Sequence, residues 1–330
     1  MNKPAKNKKN KVIRFQTGIQ ESRRAVSGSL IEKITTFRNT RALDSTATAV
    51  ITVLGWTAIF VLIGIAGFLI HSSIRAFDEV GIWSMIAGTD WFPTSTDARF
   101  GFLPAQVGSI WVTIVALASC VPIGVLSAVY LSEFASSRFR ESAKAVIEFM
   151  VTIPSVVFGL IGLAVLVPLI RTHLSVDSGL IGLTAGLVVG IVCLPTIISI
   201  SEDALRSVPR ELRYGSFALG NTRWQTAYKV VLPAASSGVF AAVMLGMGRA
   251  IGETMVVLML AGNAGIIPAS PLEAARTMTG TIAQETGEVV RGSVHFSVLF
   301  ALGLVLFVST FIINLIADMV LERSRKKWRR

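Results

Sequence analysis

Apolar residues gather along this chain in six long runs, at about 47–70, 107–131, 145–170, 179–200, 234–262 and 296–320. A helix across a hydrocarbon layer about 30 Å thick needs about 20 apolar residues, and each run meets that length. Six such runs do not fit the interior of a water-soluble domain. The third carries Glu148, Pro154 and Pro168; proline inside a membrane helix is tolerated where neighbours satisfy the freed backbone groups. The pattern predicts an all-α integral membrane protein with six transmembrane helices.

The segments between the runs differ from one another. Residues 1–46 form a basic extension ahead of a membrane domain spanning 47–330. Within it Leu30, Ile31, Ile34 and Phe37 share one helical face, flanked by Lys33, Arg38 and Arg41. That pattern fits a short helix in the inner headgroup region, and fits a plain linker equally well. Segment 72–106 mixes four acids, two arginines and several aromatics; segment 263–295 contains AARTMTGTIAQETGEVV, which reads as polar helix. Segment 201–233 is basic and strongly patterned. Pro209 stops or starts a helix, Glu211 to Leu219 reads as a short helix, and Gly220–Asn221 makes a turn. Thr222 is placed as an N-cap with Gln225 as its capping-box partner. Trp224, Ala227, Tyr228 and Val231 then form one face. The result is a knob whose Leu212, Tyr214, Phe217, Trp224 and Tyr228 call for a partner surface.

Charge orients the bundle. Lys and Arg number 25 in the two ends and the segments 132–144 and 201–233, against 5 in the three intervening segments. Basic residues accumulate on the cytoplasmic side, so both termini are expected there. The net charge of +11 follows from this asymmetry and does not argue for nucleic acid. Composition agrees: of 330 residues 52% are hydrophobic and 15% charged, against about 25% charged in soluble domains. Cys120 and Cys193 lie in separate runs and read as small core residues. The first 40-odd residues lack an apolar signal core, so the first span is expected to act as an uncleaved anchor.

Little catalytic chemistry is visible. No GxxxxGK[ST] phosphate loop occurs, so this chain is not expected to hydrolyse ATP itself. No nucleophile, zinc spacing or metal set stands out within the runs. A transporter driven by an ion gradient would call for coupling-ion sites and internal repeats, and would leave the 201–233 knob unexplained.

The fifth run contains MGRAIGETMVV. Arg249 lies beside its midpoint and Glu253 one turn further, both within about 8 Å of mid-membrane at 1.5 Å per residue. Each charge costs roughly 2.5–3.5 kcal/mol at that depth, so both should face a bundle interior or a wet path. Spacing of four puts them on one helix face, where they can pair. A guanidinium fork suits an oxyanion, and a nearby carboxylate would keep that anion from being trapped. Gly246, Gly248 and Gly252 permit close helix approach or a narrow lumen. A purely structural ion pair between helices is the competing reading.

The 201–233 segment resembles the cytoplasmic loop of inner-membrane permease subunits of ATP-binding-cassette importers. Their signature is Glu-Ala-Ala, three residues, Gly, nine residues, Ile, one residue, Leu-Pro. Here Gly220 is followed by 221–229, then Val230, Val231, Leu232 and Pro233. The Glu-Ala-Ala positions fall on Tyr214, Gly215 and Ser216, with Tyr214 in place of the glutamate. The stretches LGMGRAIGETMVVLMLAGN, EFMVTIPSVVFGLIGL and ALGNTRWQTAYKVVLPAASSG are similar to phosphate-specific (Pst) permeases, and the tail GSVHFSVLFALGLVLFVSTFIINLIAD to their PstC-like subunit.

The resemblance implies a type I ABC importer (MetI-like) permease fold in the cell inner membrane, with six spans and cytoplasmic termini. It implies phosphate as substrate, sulfate or molybdate being the alternatives that charge alone would allow. Arg249, Glu253 and Thr254 are the residues expected on the substrate path. Tyr214, Gly215, Ser216, Gly220, Val230, Leu232 and Pro233 would couple to ATPases. The implied partners are a homologous PstA-like permease, a PstB-like ATPase dimer and a PstS-like phosphate-binding protein. No cofactor is expected in this chain; ATP and Mg would sit on the ATPases.

Overall fold

The structure, a computed structural model, describes residues 46–328. Its first helix, α1 (Thr46–Glu79), is apolar enough to cross a membrane. The chain divides after Ile65 into two compact units. In the first, Ile51, Leu54, Trp56 and Phe60 are all exposed, so this helix stretch is apolar all round, as a lipid-facing segment is.

The second unit begins with the remainder of α1, followed by α2 (Ile82–Ile86) and the two-stranded hairpin β1 (Trp91–Phe92) and β2 (Arg99–Phe100). Then come α3 (Leu103–Phe134), α4 (Ser137–Thr152), α5 (Ser155–Leu174) and α6 (Gly182–Arg206). The knob follows as α7 (Arg210–Ala218) and α8 (Arg223–Ala234). A 72° bend joins α8 to α9 (Ser236–Gly252), and α10 (Met255–Leu260) continues it. Finally α11 (Met278–Glu285) precedes α12 (Val294–Trp328). Five helices are each long and apolar enough to span a membrane, and six spans result if the bent pair counts as one.

At the centre stands α6. It buries Ala185, Val189, Cys193 and Ile197 against Val112, Ala116 and Cys120 of α3 and Val256, Val257 and Leu260 of α10. Glycine sets how close α3 comes: a Cβ on Gly190 would stand 2.3 Å from Ser119 Oγ and 3.1 Å from Ala116 O. Small residues at such a contact replace the hydrophobic drive that lipid removes. Both cysteines are free and buried in this core, as expected.

Two expected spans need correction. The third does not run from 145 to 170. Pro154 forces Ile153 into an extended conformation, with ψ 125, and ends α4 at Thr152. The helix that crosses is α5, which starts after the proline. No residue of α4 is buried, and Glu141, Lys144 and Glu148 decorate it. The fifth span breaks at Glu253, described below. The expected basic helix near Leu30 lies outside the described residues.

Wide π turns occur at Tyr130–Phe134, Gly162–Leu166 and Ala227–Val231. The second and third each end two residues before a proline, Pro168 and Pro233. A proline ring clashes with the carbonyl four residues back, and the looser turn moves that carbonyl aside.

Each end of the bundle has its own apolar cluster. Near 132–144 and 201–233, here the basic end, Ala128, Leu205, Val208, Ala227, Val231 and Ala235 pack together. At the opposite end Met85, Trp91, Phe102, Met278 and Leu302 do so. The segment expected to be a polar helix does carry one, α11, but it folds inward. Gly262 and Ala275 pair as a bridge, and α11 buries Met278, Gly280 and Thr281. Gly108 on α3 makes room for this segment, since a Cβ there would stand 2.0 Å from Arg276 O.

Candidate functional site

Arg249 lies in the last turn of α9. Three glycines, at 246, 248 and 252, weaken this helix by about 1 kcal/mol each relative to alanine. At Glu253 the backbone turns extended (φ −68, ψ 129) and the helix stops. The Glu253 carboxylate explains the restart: its Oε1 accepts from Thr254 N at 3.2 Å and Val256 N at 3.4 Å. An acid at the start of α10 satisfies amides that have no helical partner. Thr254 Oγ1 donates to Gly252 O at 3.2 Å, and Thr279 Oγ1 donates to Glu253 O at 2.8 Å. Thr279 belongs to α11, so the opposite-end segment closes over the break. A cavity of about 10 Å³ remains there, lined by Glu253, Ser109, Thr113, Thr277 and Thr279.

The two charges therefore do not pair. Position 253 has left the helix, so the four-residue spacing no longer aligns it with Arg249. The guanidinium reaches instead to Thr196 on α6, Nη1 donating to Oγ1 at 3.4 Å, and forms no ion pair among the described residues. Arg249 is half-buried, while Gly248 and Gly252 face open space and Leu245 is exposed. Gly246 instead packs against Ile197, the close helix approach expected of it.

At the basic end the knob follows the expected local chemistry. Pro209 caps α7, Gly220 takes φ +83 after it, and Thr222 and Gln225 form both halves of the capping box, at 3.2 and 2.8 Å. Tyr214, Phe217, Leu219, Trp224 and Tyr228 are exposed, Leu219 at 84%. The expected face of α8 splits, because Ala227 and Val231 are buried while Trp224 and Tyr228 look out. Of the signature positions, Tyr214, Gly215 and Gly220 are exposed, and Val230, Leu232 and Pro233 are half-buried. Ser216 is buried, its Oγ 2.9 Å from Thr226 Oγ1 and accepting from Asn221 Nδ2 at 3.1 Å. It therefore ties α7 to α8.

Among the ionic clusters that sequence reasoning missed, one lies at the knob and one at the opposite end. Arg213 on α7 grips Glu133 in the last turn of α3, through Nε at 3.1 Å and Nη2 at 2.8 Å. Glu285 on α11 accepts from Trp91 Nε1 at 2.8 Å and Arg276 Nη1 at 2.7 Å, and lies 2.8 Å from His295 Nε2. Burial pushes the Glu285 carboxyl up, but hydrogen bonds from His295 and Trp91 and the charge of Arg276 outweigh it and hold the pKa below its usual range. These groups border a cleft of about 550 Å³ with Gln284, Glu288 and Ser293. Their partners lie up to 194 residues away, beyond any local pattern.

The long apolar helices, a broken span carrying a lone cation and a knob on short helices define a multi-pass membrane permease. The chain belongs to the family described as binding-protein-dependent transport system inner membrane component, which matches residues 120–326. A probable ABC transporter permease protein, YqgH, of Bacillus subtilis is 38% identical, covering 90% of this chain and 97% of that one. Phosphate transport system permease proteins PstC are 32% identical in Mesorhizobium japonicum, over 93% of this chain and 98% of that one, and 34% in Pasteurella multocida, over 82% and 90%. In fold the chain is similar to an inward-facing MetNI methionine ABC transporter, with TM-score 0.51 at 19% identity, covering 68% of this chain and 94% of that one. A bacterial alginate ABC transporter also reaches 0.51, at 17% identity, covering 81% and 92%.

Proposed function

We propose that this chain is the PstC-like permease subunit of an ATP-driven inorganic phosphate importer in the cell inner membrane, with both termini cytoplasmic. Arg249 carries the reading: a guanidinium inside a span, half-exposed, with a neutral threonine as its polar partner. Such a cation is costly unless an anion visits it. The named relatives supply phosphate as the anion. A homologous PstA-like permease would complete the path, a PstS-like binding protein would deliver phosphate from outside, and a PstB-like ATPase dimer holding ATP and Mg would grip the knob.

In this reading Glu253 does not pair with the guanidinium; it caps α10 and fixes the break at which Thr254 lies. Thr196 parks the guanidinium through a long, weak bond that a phosphate oxygen can displace. The path is thus left attractive without a competing salt bridge.

The test is uptake by vesicles holding the assembled importer. R249Q is expected to abolish phosphate uptake while the complex still assembles. Undiminished uptake would remove Arg249 from the path. Sulfate or molybdate taken up in preference to phosphate would change the substrate, and uptake by this chain alone on an ion gradient would overturn the ATP-driven reading.

A further inference from the structure

The exposed aromatics of the knob show where a partner can push, but not what carries the push into the bundle. Arg213 answers that. Beyond its two bonds to Glu133, its Nη1 donates to Val208 O at 2.5 Å and its Nη2 to Leu205 O at 2.9 Å. One planar guanidinium therefore joins three elements: the end of α3, the last turn of α6 with the residues just past it, and α7 of the knob. The side chains are 16% and 10% exposed for Arg213 and Glu133, so the pair is largely shielded from solvent. Charge-assisted bidentate pairs are directional, and lysine cannot reproduce the fork.

The local backbone is arranged to offer Glu133. It lies in the π turn Tyr130–Phe134 that ends α3. Ser132 Oγ donates to its Oε1 at 2.9 Å. Arg140, from the start of α4, donates through Nε to Leu131 O at 2.9 Å and through Nη2 to Ala135 O at 3.4 Å, closing off that turn. Tyr214, which stands where the family signature has its glutamate, is exposed and makes no part of this node. The α3 and α6 helices clasped here are the same two that pack at Gly190, and α6 carries the Thr196 that holds Arg249.

We propose that the Glu133–Arg213 pair is the positioning strut through which movement of the knob reaches α3 and α6, so that its geometry sets how much transport each ATP yields. This rests on the importer reading above. Wild-type and variant complexes, reconstituted with the sister permease, the ATPases and the phosphate-binding protein, are assayed for phosphate moved and ATP hydrolysed. In E133Q, and in R213K, which keeps the charge but loses the fork, phosphate moved per ATP is expected to fall about fivefold or more, the lower range of coupling between sites. Assembly and ATP hydrolysis are expected to persist. E133Q retains an acceptor oxygen and similar shape, so it remains informative if R213K assembles poorly. An unchanged ratio in assembled E133Q overturns the strut. So does loss of assembly in both variants, which would make the pair a brace without a part in coupling. Wild-type vesicles that move no phosphate on ATP would instead bring down the importer reading, and this proposal with it.

Discussion

Arg249 and Arg213 carry the same charge and meet opposite surroundings. Arg213 is held by one carboxylate and two carbonyls, and works as a fixture. Arg249 has a single long bond and keeps its charge available. At Glu285, charge again fixes structure. Its folded pKa is depressed, so its contribution to stability is complete above its ordinary value of 4.5 and is lost as pH falls through the lower folded value. Trp91 fluorescence should therefore shift on acidification below about pH 4.5 in the wild type, and E285Q should show a weaker pH response. At Gly108 the neighbour is a backbone carbonyl, which cannot rotate away. G108A is expected to cost about 1–3 kcal/mol, read as a lower melting temperature of the purified complex. Arg249 was legible from the sequence because a cation in an apolar run stands out against its surroundings. Glu133 and Arg213 were not, because 80 residues separate them and neither breaks a pattern.

Among the elements, the knob was read almost to the residue. Proline, glycine and the capping box act over a few residues, so local sequence decides them. Losing the Thr222 side chain should cost about 1 kcal/mol, seen as faster amide exchange at Gln225. The failures have physical reasons too. Pro154 reads as a tolerated kink within an apolar run, although the charged positions of α4 mark a separate amphipathic helix. The break at Glu253 left no trace in hydropathy, since α9 and α10 form one apolar run; the local signal was a glycine before and a threonine after. E253A should free the amides of Thr254 and Val256 and destabilise the start of α10 by about 1 kcal/mol, whereas E253Q keeps an acceptor and much of the cap. Amide exchange at those two residues distinguishes the variants.

For the molecule as a whole, the all-helical membrane architecture and the burial of Cys120 and Cys193 were legible in hydropathy and composition. How the helices are fastened did not. At the basic end Lys144 on the outlying α4 bonds Asp203 at 2.8 Å and Glu202 at 3.0 Å, and Glu202 is only 2% exposed. The hydrogen bond to Asp203, with Glu202 adding to it, holds the Lys144 pKa above its usual value. K144M should cost less than the roughly 3–5 kcal/mol of an orphaned buried charge, because Arg206 remains 3.5 Å from Glu202. Limited proteolysis would then cut preferentially between α3 and α5, where α4 has lost its mooring.

The π turns ahead of Pro168 and Pro233 lead somewhere else again. Such a turn takes up one residue more than an α turn, so each stores a register step in the backbone. If the turn at Ala227–Val231 tightened, against the clash with the Pro233 ring that its width avoids, the chain beyond it would rotate by about 100°, the angle of one residue in a helix turning every 3.6. A small winding at the knob would then swing α9, and the arginine it carries, to a new bearing.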